Sequence, residues 1–149
     1  MKTELSLADL QQGAMTIGDR IPYLKFLVLF GSRARGDEYE RSDWDFAMLC
    51  DEEARQKAIA DKDYGFLEVH NAIEDCFDIG GEHMDVVDVR RCSTLIAHYI
   101  ADEGVVLYES ESGIFREFQQ RVIMTKQAIN DLSTSLRQQV ESFLQEQGV

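Results

Sequence analysis

A pair of aspartates separated by one residue is the first feature of the sequence that could carry chemistry. Asp43 and Asp45 begin an apolar segment, residues 43–50, whose composition predicts a β-strand. Side chains two positions apart on a strand project from the same face, so the two carboxylates would lie side by side. Adjacent carboxylates repel each other unless a cation lies between them, and such oxygen ligands suit Mg²⁺ together with substrate phosphates. An isolated pair of this kind is also typical of a solvated strand edge, so its meaning depends on its surroundings.

The segment 31–36 has the composition of a phosphate-binding turn. Gly31 and Ser32 directly follow residues 23–30, an apolar run that predicts a strand buried on both faces. A glycine at this point lets the backbone approach a phosphate closely, and the free N–H groups at a helix start attract anions. Arg33 and Arg35 add two cations to a chain whose 15 basic and 28 acidic residues give a net charge of −13. Phosphate chemistry is therefore expected to be confined to this small basic turn.

A third carboxylate on a neighbouring strand would allow two metal ions to clamp the attacking and leaving oxygens of an in-line phosphoryl displacement. Residues 84–89 predict such a strand and contain two candidates, Asp85 and Asp88. The period of a strand puts them on opposite faces, so only one can face the aspartate pair. We favour Asp85, because it lies within an apolar run where an unpaired carboxylate is costly. Asp88 precedes two arginines and a predicted helix, and capping that helix would explain it structurally.

The elements that position these residues alternate between strands and helices, which predicts an α/β sheet with helices packed on it. Strands are expected over residues 23–30, 43–50, 84–89 and 105–108, and helices over 5–17, 64–77, 92–102 and from 112 onwards. A helix over residues 112–147 would be roughly 50 Å long if unbroken. The cluster of hydroxyl residues at 133–135 is a point where it could divide. Its apolar stripe either packs back on the sheet or forms a face for a partner, and the sequence leaves both open.

Composition narrows the class of protein. The 149 residues, 44% hydrophobic and 29% charged, are typical of one globular domain. No run approaches the roughly 20 apolar residues of a membrane span, and residues 1–12 lack the apolar core of a signal peptide, so we expect a cytoplasmic protein with no membrane partner. Three scattered cysteines argue against a disulfide framework or zinc site. The net charge of −13 disfavours direct nucleic-acid binding.

Taken together, these motifs resemble a known family. Gly31-Ser32, ten intervening residues, and Asp43-x-Asp45 resemble the signature of DNA-polymerase-β-like nucleotidyltransferases. The segments GSRARG, SDWDFAML, MDVVDV and EGVVLYES are similar to those of the minimal nucleotidyltransferases (MNT), many of which are antitoxins encoded beside a HEPN-domain ribonuclease toxin. The resemblance covers about residues 24–110. It implies the polymerase-β-like fold, an α+β arrangement with a mixed sheet, flanking helices and a long C-terminal helix, within one domain over 1–149 that has a helical extension at 112–149.

The resemblance also implies an activity and its site. Gly31 and Ser32 would hold the triphosphate of ATP, and Asp43 and Asp45 would bind two Mg²⁺ ions, with Asp85 as the third carboxylate. The expected reaction is AMP transfer to a hydroxyl, a tyrosine, of a partner HEPN toxin, which it neutralises. One alternative is a non-catalytic antitoxin that masks its partner. Another is transfer to an antibiotic or an RNA end; little chain remains for the second domain of an antibiotic enzyme, and the charge disfavours RNA.

Overall fold

The computed structural model describes residues 5–37 and 42–148. A four-stranded mixed sheet organises this part of the chain. The central strand β1 (Leu24–Phe30) pairs antiparallel with β2 (Trp44–Cys50) and β4 (Val105–Glu109), whereas β3 (Met84–Asp88) lies parallel to β2. All four predicted strands are confirmed, with each boundary within one residue of its expected place. The ends of β1 and the starts of β2, β3 and β4 meet at one edge of the sheet.

Helices cover both faces of this sheet. They are α1 (Leu7–Gly13), α2 (Ile17–Arg20), α3 (Ser32–Arg35), α4 (Glu52–Ile59), α5 (Glu68–Phe77), α6 (Thr94–Glu103), α7 (Ile114–Val122) and α8 (Lys126–Glu146). In the part of the chain that the structure describes, none of these helices has the length and apolar character needed to cross a membrane.

Two hydrophobic cores explain why β1 is almost entirely apolar. On one face α1, α2 and α5 pack on the sheet, where Phe46 of β2 stacks on Phe77 of α5 with 5.4 Å between ring centroids. On the other face α6 and α7 pack against β1, and Phe26 makes edge contacts with Phe115 and Phe118 at 5.2 and 5.4 Å. A strand with both faces covered has no solvated side on which polar residues would alternate.

The structure divides the C-terminal segment at a different place from the one expected. The helix breaks after Val122 and resumes at Lys126, where the side chain of Thr125 accepts a hydrogen bond from the Ala128 N–H and caps the new helix. The expected division at 133–135 is wrong, because these hydroxyl residues lie inside α8. The 21 residues of α8 span roughly 30 Å, and none of them is buried.

Two further helix predictions need correction, and one helix was not predicted. The expected helix over 5–17 continues to Arg20 through one 3₁₀ turn, and the α-helix expected from residue 64 begins at Glu68 after another. The polar helix α4 was not predicted, because it has little apolar periodicity. The Asp51 side chain caps the start of α4 by accepting a hydrogen bond from the Ala54 N–H at 3.1 Å. Arg55, the buried residue of α4, connects the helix to the sheet through an ion pair.

Candidate active site

Strand pairing brings the separate motifs together at the edge of the sheet where β1 ends. Asp45 on β2 is the register partner of Asp85 on β3 and of Phe30 on β1, and Gly31 follows Phe30 directly. The predicted phosphate-binding turn and two of the predicted carboxylates are therefore neighbours in space. Asp43 lies just before β2 and is exposed. Residues 38–41, between the turn and the aspartate pair, lie outside the described residues.

The register also separates Asp85 from Asp88. Trp44 and Phe46 belong to the core under α1 and α5, so the alternating residues Asp45 and Asp85 project from the face that α6 and α7 cover. Asp88 projects from the opposite face. The prediction that the two side chains project from opposite faces is confirmed, and Asp85 is the one that shares a face with Asp45.

The surroundings of Asp85 and Asp88 differ from those expected from the sequence. Asp85 is exposed rather than enclosed, because it is the second residue of β3 and lies at the open edge. Asp88 is the more enclosed residue, and it does not cap α6, whose cap is Ser93. Asp88 lies 3.4 Å from the guanidinium of Arg55, and its Oδ1 accepts the N–H of Arg90 at 3.0 Å. Its neighbourhood is therefore a structural ion pair that joins β3 to α4.

The electrostatic state of Asp45 indicates a site that favours positive charge. Burial raises the pKa of Asp45, and the negative charges of Asp85 and Asp43 raise it further. These carboxylates are of the type that binds Mg²⁺, and a cation would relieve their mutual repulsion. Within residues 5–37 and 42–148, no three acidic, histidine or cysteine side chains converge closely enough to form a metal site as they stand. The carboxylates therefore have the donor chemistry for a divalent ion, and they lie along one edge of the sheet rather than around a preformed metal site.

Gly31 allows the turn to lie directly against Asp45. Its φ of +79° is in the region that favours glycine, and a Cβ at this position would collide with the Asp45 carboxylate. The residues that follow form the single turn of α3, which ends at Gly36. The N–H groups of a first helical turn have no partner within the helix, so those of Ser32 and Arg33 are available to an anion by their position.

The two arginines of the turn have different surroundings. The Arg33 guanidinium lies 4.1 Å from the Trp44 ring centroid, and its Nε–H donates to the Ser42 carbonyl at 2.9 Å. Arg33 thereby ties α3 to the start of β2. Arg35 donates instead to two carboxylates, those of Asp37 and Glu103.

Glu103 lies near this site and was not predicted from the sequence. It is the last residue of α6, and it comes close to the turn because Val105 pairs with Leu29 two positions before Gly31. A signal was present, since Glu103 opens the EGVVLYES segment that carried part of the family resemblance. No spacing rule, however, linked that segment to the arginines of the turn.

The mixed sheet, the Gly-Ser turn at the end of β1 and the aspartates at the start of β2 are the features of a nucleotidyltransferase. The chain belongs to the polymerase beta nucleotidyltransferase family, whose model matches residues 16–113. It is similar to the protein adenylyltransferase MntA of Aphanizomenon flos-aquae, with 39% identity over 144 residues, which cover 97% of this chain and 96% of that relative.

Solved structures show the same fold at lower identity. One is a crystal structure of a toxin–antitoxin with AMP-PNP, which matches with a TM-score of 0.55 and 21% identity over 95% of this chain and 99% of the other. Another is a tri-AMPylated Shewanella oneidensis HEPN toxin in complex with MNT antitoxin, with a TM-score of 0.52 and 20% identity over 91% and 98% of the two chains. These likenesses confirm the polymerase-β-like fold with a mixed sheet, flanking helices and a long C-terminal helix.

Proposed function

We propose that this protein is an antitoxin that transfers AMP from ATP to a hydroxyl, a tyrosine, of a HEPN-domain toxin and so neutralises it. The observation that carries the proposal is the meeting of Gly31, Asp45 and Asp85 at one sheet edge. Support also comes from the adenylyltransferase similar to the whole chain, and from the HEPN complexes that contain chains of this fold. A cytoplasmic location agrees with ATP as the substrate.

Each motif has a role in this reaction. Gly31 and Ser32 hold the triphosphate through backbone N–H groups and a hydroxyl. Asp43, Asp45 and Asp85 would hold Mg²⁺, as two ions, which when bound would supply positive charge to stabilise the α-phosphate and the leaving pyrophosphate. Asp85, exposed at the edge, orients the acceptor hydroxyl and accepts its proton as the oxygen bonds to the α-phosphorus and pyrophosphate departs.

The basic side chains of the turn complete this assignment. Arg35 contributes positive charge to the triphosphate through the donors that its two carboxylate partners leave open. Arg33, whose guanidinium stacks on Trp44, maintains the shape of the turn as well as its charge. The domain proposal follows the same division: residues 1–149 form one nucleotidyltransferase domain, in which 112–149 is a helical extension.

Transfer of labelled AMP tests the proposal. The protein is incubated with MgATP labelled at the α-phosphate and with the HEPN-domain protein encoded beside it. We expect label on the toxin, no label when the γ-phosphate carries it, and none after EDTA treatment. Mass spectrometry should find AMP on a tyrosine. A toxin that is inhibited without acquiring label would contradict transfer and favour the masking antitoxin.

The masking alternative is favoured by one observation, the apolar stripe on α8. Leu136, Val140 and Phe143 lie one turn apart, and their side chains are 44, 57 and 58% exposed. An exposed stripe of this kind is typical of a surface that packs against another protein. We therefore assign α8 to toxin binding, whether or not transfer also occurs.

Negative charges placed on this stripe should weaken toxin binding without affecting the folding of the chain. In the variant Val140→Glu/Phe143→Glu, we expect the affinity for the toxin to fall at least about a hundredfold, roughly 3 kcal/mol, because two apolar contacts would be replaced by desolvated charges. The melting temperature should change little, since neither side chain is buried in the chain itself. Gln138→Glu, on the opposite side of α8, is the control. Unaltered complex formation by the double variant in calorimetry would show that the toxin binds elsewhere.

A further inference from the structure

Arg35 is held between two carboxylates beside the proposed triphosphate site. Its Nη1–H donates to Glu103 Oε2 at 2.6 Å, and its Nε–H donates to Asp37 Oδ2 at 3.1 Å. The shorter contact crosses from α3 to α6, over 68 positions of sequence. An arginine side chain that is 46% exposed would otherwise sample many rotamers, so these contacts decide where its charge lies.

The Glu103 end of this ion pair is the rigid one. Glu103 ends α6, where the Gly104 N–H donates to the Ile100 carbonyl at 2.8 Å, and β4 begins at the next residue. Its side chain is only 14% exposed, whereas that of Asp37 is 61% exposed and adjoins residues outside the described range. The position of Glu103 is therefore fixed by its place between α6 and β4, and Asp37 is the less constrained partner of Arg35.

The pair leaves Arg35 able to bind an anion. A guanidinium carries five N–H donors in one plane. The two contacts with Glu103 and Asp37 use two of them, and the other three, on Nη1 and Nη2, make no hydrogen bond within residues 5–37 and 42–148. Because Glu103 approaches from a fixed position, it orients the guanidinium before any ligand arrives. A pre-oriented cation binds an anion with less loss of side-chain entropy.

Arg35 and Glu103 are also close to the acidic edge. The turn that carries Arg35 follows Gly31, which lies against Asp45, and Val105, two residues after Glu103, pairs with Leu29, two residues before Gly31. A triphosphate entering this edge meets several carboxylates, so the position of each nearby cation matters for its affinity.

We propose that Glu103 is a positioning residue for nucleotide binding, which acts by holding the Arg35 guanidinium at the edge of the site with its free donors open to the triphosphate. This inference rests on the proposed function, because it takes the ligand to be the triphosphate of ATP. It assigns to α6 a part in substrate binding. A purely structural role would have Glu103 fasten α3 to α6 without effect on the nucleotide.

MgATP titration of the full-length protein by calorimetry tests the proposal. We expect Glu103→Gln to weaken MgATP binding about tenfold, because a neutral amide holds the guanidinium less firmly than a carboxylate. Glu103→Asp, which keeps the charge, should recover part of the loss. Asp102→Asn, with the same charge change at the neighbouring exposed position, is the matched control and should bind within about twofold of the parent protein.

A double-mutant cycle shows whether Glu103 acts through Arg35. In an Arg35→Ala background, Glu103→Gln should cause no further loss of affinity. In the transfer reaction Glu103→Gln should raise the KM for ATP and leave kcat nearly unchanged, which a general loss of folding would not do. Unchanged or tighter MgATP binding by Glu103→Gln would overturn the proposal, as would an equal loss in the Arg35→Ala background.

The same titration separates this proposal from the proposed function. If the parent protein binds MgATP and Glu103→Gln weakens binding, but no AMP reaches the toxin, the transfer proposal fails and the positioning role stands. If the parent protein binds no MgATP, both fail. If transfer occurs and Glu103→Gln has the parent affinity, the positioning role alone is overturned.

Discussion

Replacement of Asp45 by Asn should lower AMP transfer by roughly a thousandfold, about 4 kcal/mol in activation free energy. Asp45 lies at the centre of the site, against Gly31 on one side and opposite Asp85 on the other. The amide keeps the size of the side chain but removes the charge through which a divalent ion is held. Turnover of the variant is compared at saturating Mg²⁺ with that of Asp63→Asn, an exposed control between α4 and α5. Near-normal turnover by the Asp45 variant would rule out its role as a metal ligand.

The same variant should be at least as stable as the parent protein in the absence of metal. Burial and the neighbouring carboxylates raise the pKa of Asp45 above its ordinary value, so its ionisation is less favourable in the folded chain than in the unfolded chain. The charged Asp45 carboxylate therefore lowers the free energy of unfolding at neutral pH. This effect disappears as the pH falls through the raised pKa of Asp45. The stability advantage of Asp45→Asn should therefore shrink on acidification. Thermal melts in EDTA at several pH values measure this; a variant less stable than the parent at neutral pH would contradict it.

Replacement of Asp85 and of Asp88 should have opposite consequences. We expect Asp85→Asn to lose transfer at least about a hundredfold with little change in stability, because the side chain is exposed at the site and makes no ion pair with the residues that the structure describes. Asp88→Asn should retain transfer and lose about 2 kcal/mol of stability, since the guanidinium of Arg55, whose side chain is 8% exposed, then loses the nearer of its two carboxylates and keeps that of Glu52 at 3.8 Å.

Chemical denaturation and transfer assays on the two variants check this pair of outcomes. The double variant Asp88→Leu/Arg55→Met is a further control. It removes both charges together and should recover much of the stability lost by Asp88→Asn. If Asp88→Asn abolishes transfer and Asp85→Asn does not, the register of β3 on β2 is displaced by an odd number of residues, and the third carboxylate is Asp88.

Much of the site was predictable from the sequence because the relevant information is local. The alternation of side chains along a strand follows from backbone geometry, so the opposed faces of Asp85 and Asp88 could be stated in advance. Asp43, predicted on the same strand as Asp45, lies before the start of β2. The run of apolar residues predicted the central strand, since a strand covered on both faces has no polar side. Gly31 at the end of that strand marked the turn, because only glycine adopts its backbone conformation without strain.

Burial and helix ends were less predictable. The apolar neighbours of Asp85 indicated an enclosed carboxylate, but its position at an open sheet edge made it exposed, and that edge is defined only when β2 and β3 pair. The C-terminal helix ends after Val122 and begins again at a threonine cap, whereas the serine and threonine cluster within α8 does not interrupt it. Hydroxyl residues favour helix caps but do not require them, so composition alone does not locate the break.

The contacts that complete the site were decided by the tertiary structure. Glu103 meets Arg35 because β4 returns beside β1, and Asp88 meets Arg55 because α4 begins directly after β2, at the end where the parallel strand β3 also ends. Each pair joins residues more than 30 positions apart, and nothing in the local pattern of charges specifies which carboxylate an arginine will reach. The sequence by itself therefore determined the types of the proposed site residues, their spacing and the faces of the two candidates on β3. Strand order and register determined their partners, because hydrogen-bonded pairing of distant strands is what brings those side chains within reach.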